Sequence, residues 1–426
     1  MASSTRNEGT RRTNGSRSSG GSRRPSGGER RSSRRDYDAY DEDRSYSSSG
    51  RRSASASRRD DRGRASAGPG GRRGQGRRKK ANQSRRILLF GVEILALVVL
   101  ALVLWAVGKQ DAVQHITINE SQIVENMNEG VEQNETMQGY RNIALFGLDA
   151  RDDDLKKGNR SDTIMIASIN QDTDEVKLVS VYRDTYLNLS NDSYNKCNAA
   201  YAAGGPEQAI LMLNMNLDMN ITEYISINFN GLIELVDALG GVQIEVEEAE
   251  IEHLNNYQKS MFSTESRVVL SDDYTPVTKA GLQTLNGMQA TAYCRIRATA
   301  GDDFRRAERQ RTVLLACLEK AKGASFSQLE SALDSVLPHV ATNLDTAEIL
   351  SVLQEVGNYT VTGTDGFPFE ETRTTGTLGS KGSCVIPVDL ETNVVALHNF
   401  LFEQEEYTPS EQVKSYSAKI SSDTGY

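Results

Sequence analysis

Apolar and polar positions divide this chain into a long polar start, one unbroken apolar segment and a region of alternating short segments. Within the last region, three apolar runs at Asn142–Leu148, Thr163–Asn170 and Val176–Val181 have the length and residue types of buried β-strands. The turn at 171–175 is short and polar, which predicts that the second and third strands form an antiparallel hairpin.

Charged residues stand where these three strands begin or end. Asp149 follows the first strand, Asp162 precedes the second and Arg183 follows the third. If the first strand also pairs antiparallel with the second, all three side chains emerge at one edge of the sheet. Carboxylates beside a guanidinium suggest a divalent cation that bridges a phosphate.

The remaining pattern mixes helices with strands. Helices are predicted at 207–217, 231–239, 285–295, 304–322, 326–337, 346–356 and 393–403, and strands at 224–229, 242–246, 359–361 and 384–388. Residues 247–278 read as an irregular surface loop or insertion. Short strand turns together with crossover helices predict a single layered α-β-α domain with a mixed central sheet.

The unbroken apolar segment, Ile87–Val107, has 21 residues and one charge, Glu93. That length spans a bilayer as a helix. Arginines and lysines flank its N-terminal side, so the positive-inside bias predicts a single-pass protein with its N-terminus in the cytoplasm and the rest extracytoplasmic.

Basic residues dominate before the apolar segment and acidic residues dominate after it. Residues 1–86 contain 25 Lys and Arg against 9 Asp and Glu, whereas residues 109–426 contain 24 against 48. The first segment has almost no aliphatic side chains, so it is predicted to be disordered. Two readings of this tail are a solvated segment attracted to anionic lipid and a nucleic-acid-binding arm; the adjacent membrane span favours the first.

Arginines of the acidic outer region cluster in two places. Of its 12 arginines, nine lie at 151–183 or within RIRATAGDDFRRAERQR at 295–311. Local helix pairing explains two or three of them. Arg306, Arg309 and Gln310 share a helix face with apolar residues, and guanidiniums on a half-buried face suit a pyrophosphate.

Cysteine and histidine positions predict no zinc site, because they lack the spacing of zinc ligands. The four cysteines are Cys197, Cys294, Cys317 and Cys384. Outside the cell they could form disulfides, in three possible full pairings, or remain buried thiols.

Seven motifs in one order resemble the LytR-CpsA-Psr family of Gram-positive bacteria over residues 140–325. They are GLDAR (147–151), RSDT (160–163), SVYRDT (180–185), YNKCNAAYAAGG (194–205), INFNGLIELVDALGGVQIEV (227–246), LNGMQATAYCRIR (285–297) and DFRRAERQ (303–310). The chain departs from the family pattern at Tyr182, where proline is usual, and at Cys197 and Cys294, where aliphatic residues are commoner.

The resemblance implies a membrane-anchored, metal-dependent glycopolymer phosphotransferase. Such enzymes move a teichoic-acid-like polymer or capsular polysaccharide from a polyprenyl-pyrophosphate carrier to a peptidoglycan hydroxyl, as a phosphodiester. Nucleic acid is then not an expected partner. The lipid needs an apolar slot, for which the apolar faces of 207–217 and 231–239 are candidates.

The same resemblance assigns roles to individual residues. Asp149 and Asp162 are expected to bind Mg²⁺ or Mn²⁺. The residues expected to hold the pyrophosphate are Arg160, Arg183, Lys196, Arg295, Arg297, Arg306 and Gln310. Arg183, Arg306 and Arg160 are expected to be catalytic, together with Asp303, which is either the base for the acceptor hydroxyl or a residue that orients an arginine.

Two other functions remain open. The first is a polyprenyl-pyrophosphate hydrolase that uses the same residues with water as acceptor, and comparing products with and without peptidoglycan separates it from a transferase. The second is a membrane-bound transcriptional attenuator or regulatory module, and binding of polyprenyl pyrophosphate with a divalent metal by the outer region discriminates against it.

The predicted organisation has five parts. These are a disordered basic cytoplasmic tail at 1–86, a transmembrane helix at 87–108, an extracytoplasmic stalk at 109–140, a catalytic domain at 141–403 and a disordered tail at 404–426.

Overall fold

The computed structural model describes residues 113–150, 153–262, 274–297 and 302–426. The predicted basic tail and membrane span lie outside these ranges, so both stay predictions. Among the helices in the described ranges, none combines the length and the apolar character needed to cross a membrane.

Strands and helices alternate along the described chain. The strands are β1 (Gln114–His115), β2 (Tyr140–Leu148), β3 (Ser161–Asn170), β4 (Glu175–Val181), β5 (Tyr186–Asn188), β6 (Tyr194–Lys196), β7 (Glu223–Asn228), β8 (Val242–Val246), β9 (Gly281–Leu285), β10 (Val340–Thr342), β11 (Thr360–Phe367), β12 (Arg373–Thr377) and β13 (Ser383–Pro387). The helices are α1 (Glu120–Glu125), α2 (Glu135–Gln138), α3 (Ala199–Leu217), α4 (Phe229–Ala238), α5 (Glu248–Phe262), α6 (Gly287–Cys294), α7 (Asp302–Lys322), α8 (Phe326–Val336), α9 (Thr346–Glu355), α10 (Leu390–Phe402) and α11 (Glu411–Thr424).

The central sheet has the strand order β1-β10-β7-β2-β3-β4-β11. β2 pairs antiparallel with β3, and β3 pairs antiparallel with β4, as the sequence predicts. β7 and β11 are parallel to β2 and β4 respectively, because helices carry the chain between them. The prediction of an α/β domain with a mixed central sheet is therefore confirmed.

Helices cover both faces of this sheet. On one face Ile164 and Ile166 of β3 join the main core with residues of α3, α10 and α11. On the other face Ala167 and Leu178 pack near Leu314 of α7. A second core forms where α4, α5, α6 and α7 meet. The candidate site lies on the face of the sheet that packs against α7, beside this second core.

Helix α3 is kinked at its seventh residue, Gly205. Gly205 has φ 73° and ψ −159°, and a Cβ there would meet the carbonyl oxygen of Lys156 at 2.5 Å. Only glycine tolerates both conditions. Pro206 then begins the second part of the helix, a position that proline favours because its φ angle suits the first helical turn.

The interpretation of 247–278 as an irregular loop is wrong for its first half, because Glu248–Phe262 is helical. Ile251, Leu254 and Met261 form an apolar stripe at helical spacing, which the surrounding polar residues concealed. This helix is also attached by a buried ion pair, in which Arg309 Nε lies 2.7 Å from Glu250 Oε1.

The segments at 109–140 and 404–426 contain more regular secondary structure than the sequence predicts. The predicted disordered tail at 404–426 contains α11, which begins after an N-cap at Ser410 and buries Val413, Tyr416 and Ile420. In the predicted stalk, β1 pairs with β10, and Ile123 is buried in the main core. Both segments are too polar overall to stand out, yet each presents one narrow apolar face.

Replacing Ile420 with alanine is expected to lower the free energy of unfolding by about 2–5 kcal/mol, because the side chain is 1% exposed within the main core. Urea unfolding measures this loss. Ser422→Ala on the exposed face of the same helix is the control, with an expected change below about 0.5 kcal/mol. Equal stability of both variants would contradict docking of α11.

Candidate functional site

The strand register brings the predicted metal and arginine residues to one end of the sheet. Leu148 of β2 pairs with Ser161 of β3. Asp149 directly follows Leu148 and Asp162 directly follows Ser161, so both carboxylates lie at this end of the sheet. The Asp149 amide also donates to the carbonyl oxygen of Arg160 at 3.1 Å. Arg183 Nη1, beyond the end of β4, donates to Asp162 Oδ1 at 2.7 Å.

The second arginine block closes over this edge from α6 and α7. Arg297 Nη2 lies 3.4 Å from Asp162 Oδ2 and its Nε lies 3.7 Å from Asp303 Oδ1. Asp303 also lies 3.0 Å from Arg306 Nη1 and 3.8 Å from Arg183 Nε. We call Asp162, Arg183, Arg297, Asp303 and Arg306 the arginine–carboxylate cluster.

Arg306 is the most buried member of this cluster, with 4% of its surface exposed. Burial, reinforced by the neighbouring Arg183 guanidinium, lowers the pKa of Arg306 to about 10. Its Nε and Nη1 form no hydrogen bond within the described part of the chain, since Nη1 is close to Asp303 but poorly aligned with it. Buried donors without acceptors are costly, so the site is suited to an incoming anion.

Asp303 contacts three guanidiniums, and this bears on its role. Burial raises the pKa of its carboxyl, but Arg306 and Arg183 outweigh burial and hold that pKa below the ordinary aspartate value. A carboxylate with a lowered pKa is a weak base. The contacts of Asp303 with Arg183, Arg297 and Arg306 suit the second role predicted for it, orientation of the arginines.

Sequence reasoning missed Asp184, which adjoins Arg183 in the same motif. Lys196 Nζ lies 3.3 Å from Asp184 Oδ1, and Arg183 Nε lies 3.8 Å from the same atom. Burial raises the pKa of the Asp184 carboxyl despite the opposing effect of Arg183. Its position directly after Arg183 was the available signal.

The other predicted residues are placed less uniformly. Arg295 lies between two rings, with Cζ 4.6 Å from the centre of Phe229 and 5.6 Å from that of Tyr257. Burial lowers the pKa of Arg295. Lys196 contacts Asp184, which adjoins Arg183 of the cluster, whereas the Arg160 side chain is exposed and lines neither of the two cavities at the site. Arg151 lies outside the described residues.

A cavity of about 480 Å³ opens beside the cluster, between the sheet and helices α4, α6 and α7. Its polar lining includes Asp149, Asp162, Thr163, Asn228, Arg295, Arg297, Arg306 and Gln310. Its apolar lining includes Leu145, Met165, Ile225, Ile227, Leu232, Leu235, Tyr257, Val313, Leu314, Cys294 and Cys317. The cavity therefore joins a charged region to an apolar one.

Only one of the two helices expected to line an apolar slot does so. Leu232 and Leu235 of the predicted 231–239 helix lie in the cavity wall. Residues 207–217 do not, because α3 packs in the main core. A small second cavity shares Asp162, Arg306 and Gln310 with the first and is also lined by Asp184.

All four cysteines are buried and free. Cys294 and Cys317 both line the large cavity, and burial raises the pKa of each thiol. Thiols with raised pKa values are weak nucleophiles and serve here as apolar wall residues.

The carboxylates present fit a divalent cation of the magnesium type. Asp149 and Asp162 line the same cavity and supply oxygen ligands. The described residues contain no group of three or more His, Cys, Asp or Glu that could hold a metal ion. Two carboxylates fit Mg²⁺ when substrate phosphate oxygens complete its coordination, as is common for this ion.

Comparisons with known proteins agree with this fold. A family model described as the LytR_cpsA_psr family matches residues 103–375, more than half of the chain. A crystal structure of a Streptococcus agalactiae protein is similar with a TM-score of 0.52 and 23% identity, covering 67% of this chain and 93% of that chain. Similarity at this identity concerns the fold alone.

Two curated relatives carry different names. Over 222 residues the chain is 34% identical to polyisoprenyl-teichoic acid–peptidoglycan teichoic acid transferase TagU of Oceanobacillus iheyensis, covering 50% of this chain and 61% of the relative. Over 214 residues it is 31% identical to Biofilm regulatory protein A of Streptococcus mutans, covering 48% of this chain and 50% of the relative. The chain thus spans one half to about three fifths of their length.

Proposed function

The chain belongs to the LytR-CpsA-Psr family, and we propose that it is a membrane-anchored phosphotransferase for a lipid-linked glycopolymer. Its donor is a teichoic-acid-like or capsular polymer on a polyprenyl pyrophosphate, and its acceptor is a peptidoglycan hydroxyl. The transferase name of the Oceanobacillus iheyensis relative supports this reaction class. The predicted span at 87–107 supplies the anchor and leaves the folded domain extracytoplasmic.

The observation that carries the proposal is the junction of a charged cluster with an apolar cavity. A polyprenyl pyrophosphate has the same two parts, a diphosphate head and a hydrocarbon chain. Arg183, Arg297 and Arg306 supply planar donors for the phosphate oxygens, while Leu232 and Leu235 contact the hydrocarbon. A soluble nucleotide would leave the apolar part of the cavity without a matching group.

Residues of the cluster bind and orient the diphosphate. Without substrate, Asp162 forms ion pairs with Arg183 and Arg297. On binding, those guanidiniums turn to the phosphate oxygens, and Asp149 and Asp162 would hold Mg²⁺ or Mn²⁺ beside them. When bound, the metal supplies neutralisation of charge at the transferring phosphate.

In the transfer step the acceptor hydroxyl oxygen forms a bond to the polymer-linked phosphorus, and the bridging P–O bond breaks. Polyprenyl phosphate leaves with the bond electrons, and the hydroxyl proton passes to a protein base. Asp184 is the stronger candidate for that base, because it lines the small cavity beside Asp162 and Arg306 and burial raises the pKa of its carboxyl. Asp303 orients the three surrounding arginines.

The full chain in lipid nanodiscs, supplied with lipid-linked polymer and Mg²⁺, tests the reaction. We expect polymer joined to peptidoglycan through a phosphodiester only when acceptor is present. Equal release of free polymer phosphate with and without acceptor would instead identify a hydrolase. Binding of the lipid without any product would indicate a binding or regulatory module.

Leu235→Trp is expected to weaken binding of polyprenyl pyrophosphate at least about tenfold, because the indole occupies the apolar part of the cavity. Equilibrium binding to radiolabelled lipid measures this effect. Leu282→Trp, at a side chain that is 68% exposed on β9, is the matched control and should bind as wild type does. Unchanged binding by Leu235→Trp would place the lipid elsewhere.

A further inference from the structure

An aromatic contact joins the end of β4 to the start of α7, behind the arginine–carboxylate cluster. Tyr182 immediately precedes Arg183, and Phe304 immediately follows Asp303. The two rings meet edge to face, with centroids 4.7 Å apart and an interplanar angle of 87°. The Cζ atom of Arg373, on β12, lies 4.2 Å from the Phe304 ring centre and 5.0 Å from that of Tyr182. We call Tyr182, Phe304 and Arg373 the aromatic clamp.

Directed contacts fix the tyrosine and the arginine of the clamp. Arg373 Nη1 donates to Tyr182 Oη at 3.0 Å and to the Pro368 carbonyl oxygen at 3.3 Å. The Tyr182 amide donates to the Phe367 carbonyl oxygen at 3.0 Å. Gly366 lies so close to the Tyr182 hydroxyl that a Cβ there would overlap it. These contacts hold the Tyr182 backbone and its hydroxyl in place.

Packing alone does not account for a guanidinium at this position. The Arg373 side chain is 14% exposed, and within the described part of the chain its ion-pair partner is Glu370, 4.0 Å away and 84% exposed. Such an exposed partner stabilises the pair little. An aliphatic side chain would fill the same space without removing a charge from water. A cation is attracted to an aromatic ring when it lies over the face of that ring. A guanidinium between two rings therefore favours one orientation of both.

The cluster leaves the direct contact between Arg183 and Asp303 loose, although Arg297 spans Asp162 and Asp303 at 3.4 Å and 3.7 Å. Arg183 Nε and Asp303 Oδ2 are 3.8 Å apart, too far for a hydrogen bond. Their separation depends on how β4 and α7 are held together, and the clamp joins these elements at the adjacent residues. We propose that Tyr182, Phe304 and Arg373 are positioning residues that hold Arg183 and Asp303 in register for transfer. This inference rests on the proposed function of the cluster.

Arg373→Ala in the full chain tests the clamp through chemical rescue. Displacement of Arg183 relative to Asp303 should lower kcat for polymer transfer about 10- to 100-fold and change KM for the lipid less than about twofold. Millimolar methylguanidinium, which can enter the vacated space between the rings, should restore kcat at least about fivefold. A loss of packing alone would not respond to a planar cation.

Arg305→Ala is the matched control on α7. Arg305 lies outside the clamp and pairs with Glu247 and Glu308 on the surface, so its loss should change kcat less than twofold and show no response to methylguanidinium. A folded Arg373→Ala variant with wild-type kcat, or with a loss that methylguanidinium does not restore, would overturn the clamp.

Tyr182→Phe keeps the inference testable if Arg373→Ala does not fold. This variant retains both rings and removes only the hydroxyl that accepts from Arg373, so kcat should fall about three- to tenfold. Unchanged kcat would contradict the clamp. The two proposals fail separately: wild-type protein that transfers no polymer contradicts the proposed function and the clamp with it, whereas active wild type with unaffected clamp variants contradicts the clamp alone.

Discussion

Replacing Arg183 with alanine is expected to lower the rate of polymer transfer about 10³-fold or more. Its guanidinium lies 2.7 Å from Asp162 and 3.8 Å from both Asp184 and Asp303, so it contacts carboxylates from all parts of the site. In phosphoryl transfer, an arginine that neutralises developing charge contributes about 10³–10⁵ to the rate. Its position beyond the end of β4 means that removal leaves the sheet intact.

Single-turnover kinetics with lipid-linked polymer measure this loss, and thermal unfolding checks the fold. Arg183→Lys separates charge from geometry: it keeps the cation but loses the planar pair of donors, and should remain at least tenfold impaired. Arg141→Ala is the control, because Arg141 pairs with Glu223 near the opposite end of β2. Transfer by Arg183→Ala within tenfold of wild type would remove Arg183 from the catalytic assignment.

Changing Asp162 to asparagine is expected to reduce transfer about 10²-fold or more and to remove the dependence of pyrophosphate binding on Mg²⁺. The substitution keeps the size of the side chain but removes the charge that faces Arg183 and Arg297. Those guanidiniums then lose the nearest of their carboxylate partners, and a divalent cation would lose one of two carboxylate ligands. Calorimetric titration of inorganic pyrophosphate with and without Mg²⁺ measures the second effect.

Asp172→Asn is the matched control for this experiment. Asp172 lies in the exposed turn at the other end of the β3–β4 hairpin, so the same chemical change there should leave both binding and transfer unaltered. If Asp162→Asn binds pyrophosphate with the same Mg²⁺ dependence as wild type, Asp162 is not a metal ligand. The arginine contacts of Asp162 would then be its whole role.

The edge of the sheet was predictable because strand pairing follows from local patterns. The hairpin between β3 and β4 needs only two apolar runs and a short polar turn, and its register places Asp162 near Arg183. The pairing of this edge with Arg297, Asp303 and Arg306 came from the family resemblance and not from periodicity. Contacts between distant segments leave no local trace in one sequence.

The predictions at 247–278 and 404–426 were wrong because the helices there are stabilised by contacts with distant segments of the chain. Helices α5 and α11 are mostly polar, and each buries a narrow stripe such as Val413, Tyr416 and Ile420. Asp184 was overlooked although its partner Lys196 is nearby in the sequence, in the next motif along the chain. Its importance depends on burial, which raises the pKa of its carboxyl and which no residue spacing reveals.

The volume of the cavity has a consequence for how the lipid carrier is handled. About 480 Å³ matches a drug-sized apolar group, so a long polyprenyl chain would extend beyond this open cavity. On the proposed function, most of the isoprene units would stay in the bilayer during transfer, and only those next to the diphosphate would leave it. Full extraction would cost about 0.8 kcal/mol for each CH₂ moved into water. The rate of transfer would therefore depend little on the total length of the polyprenyl carrier. After transfer, the polyprenyl phosphate would return to the bilayer, in which most of its chain had remained.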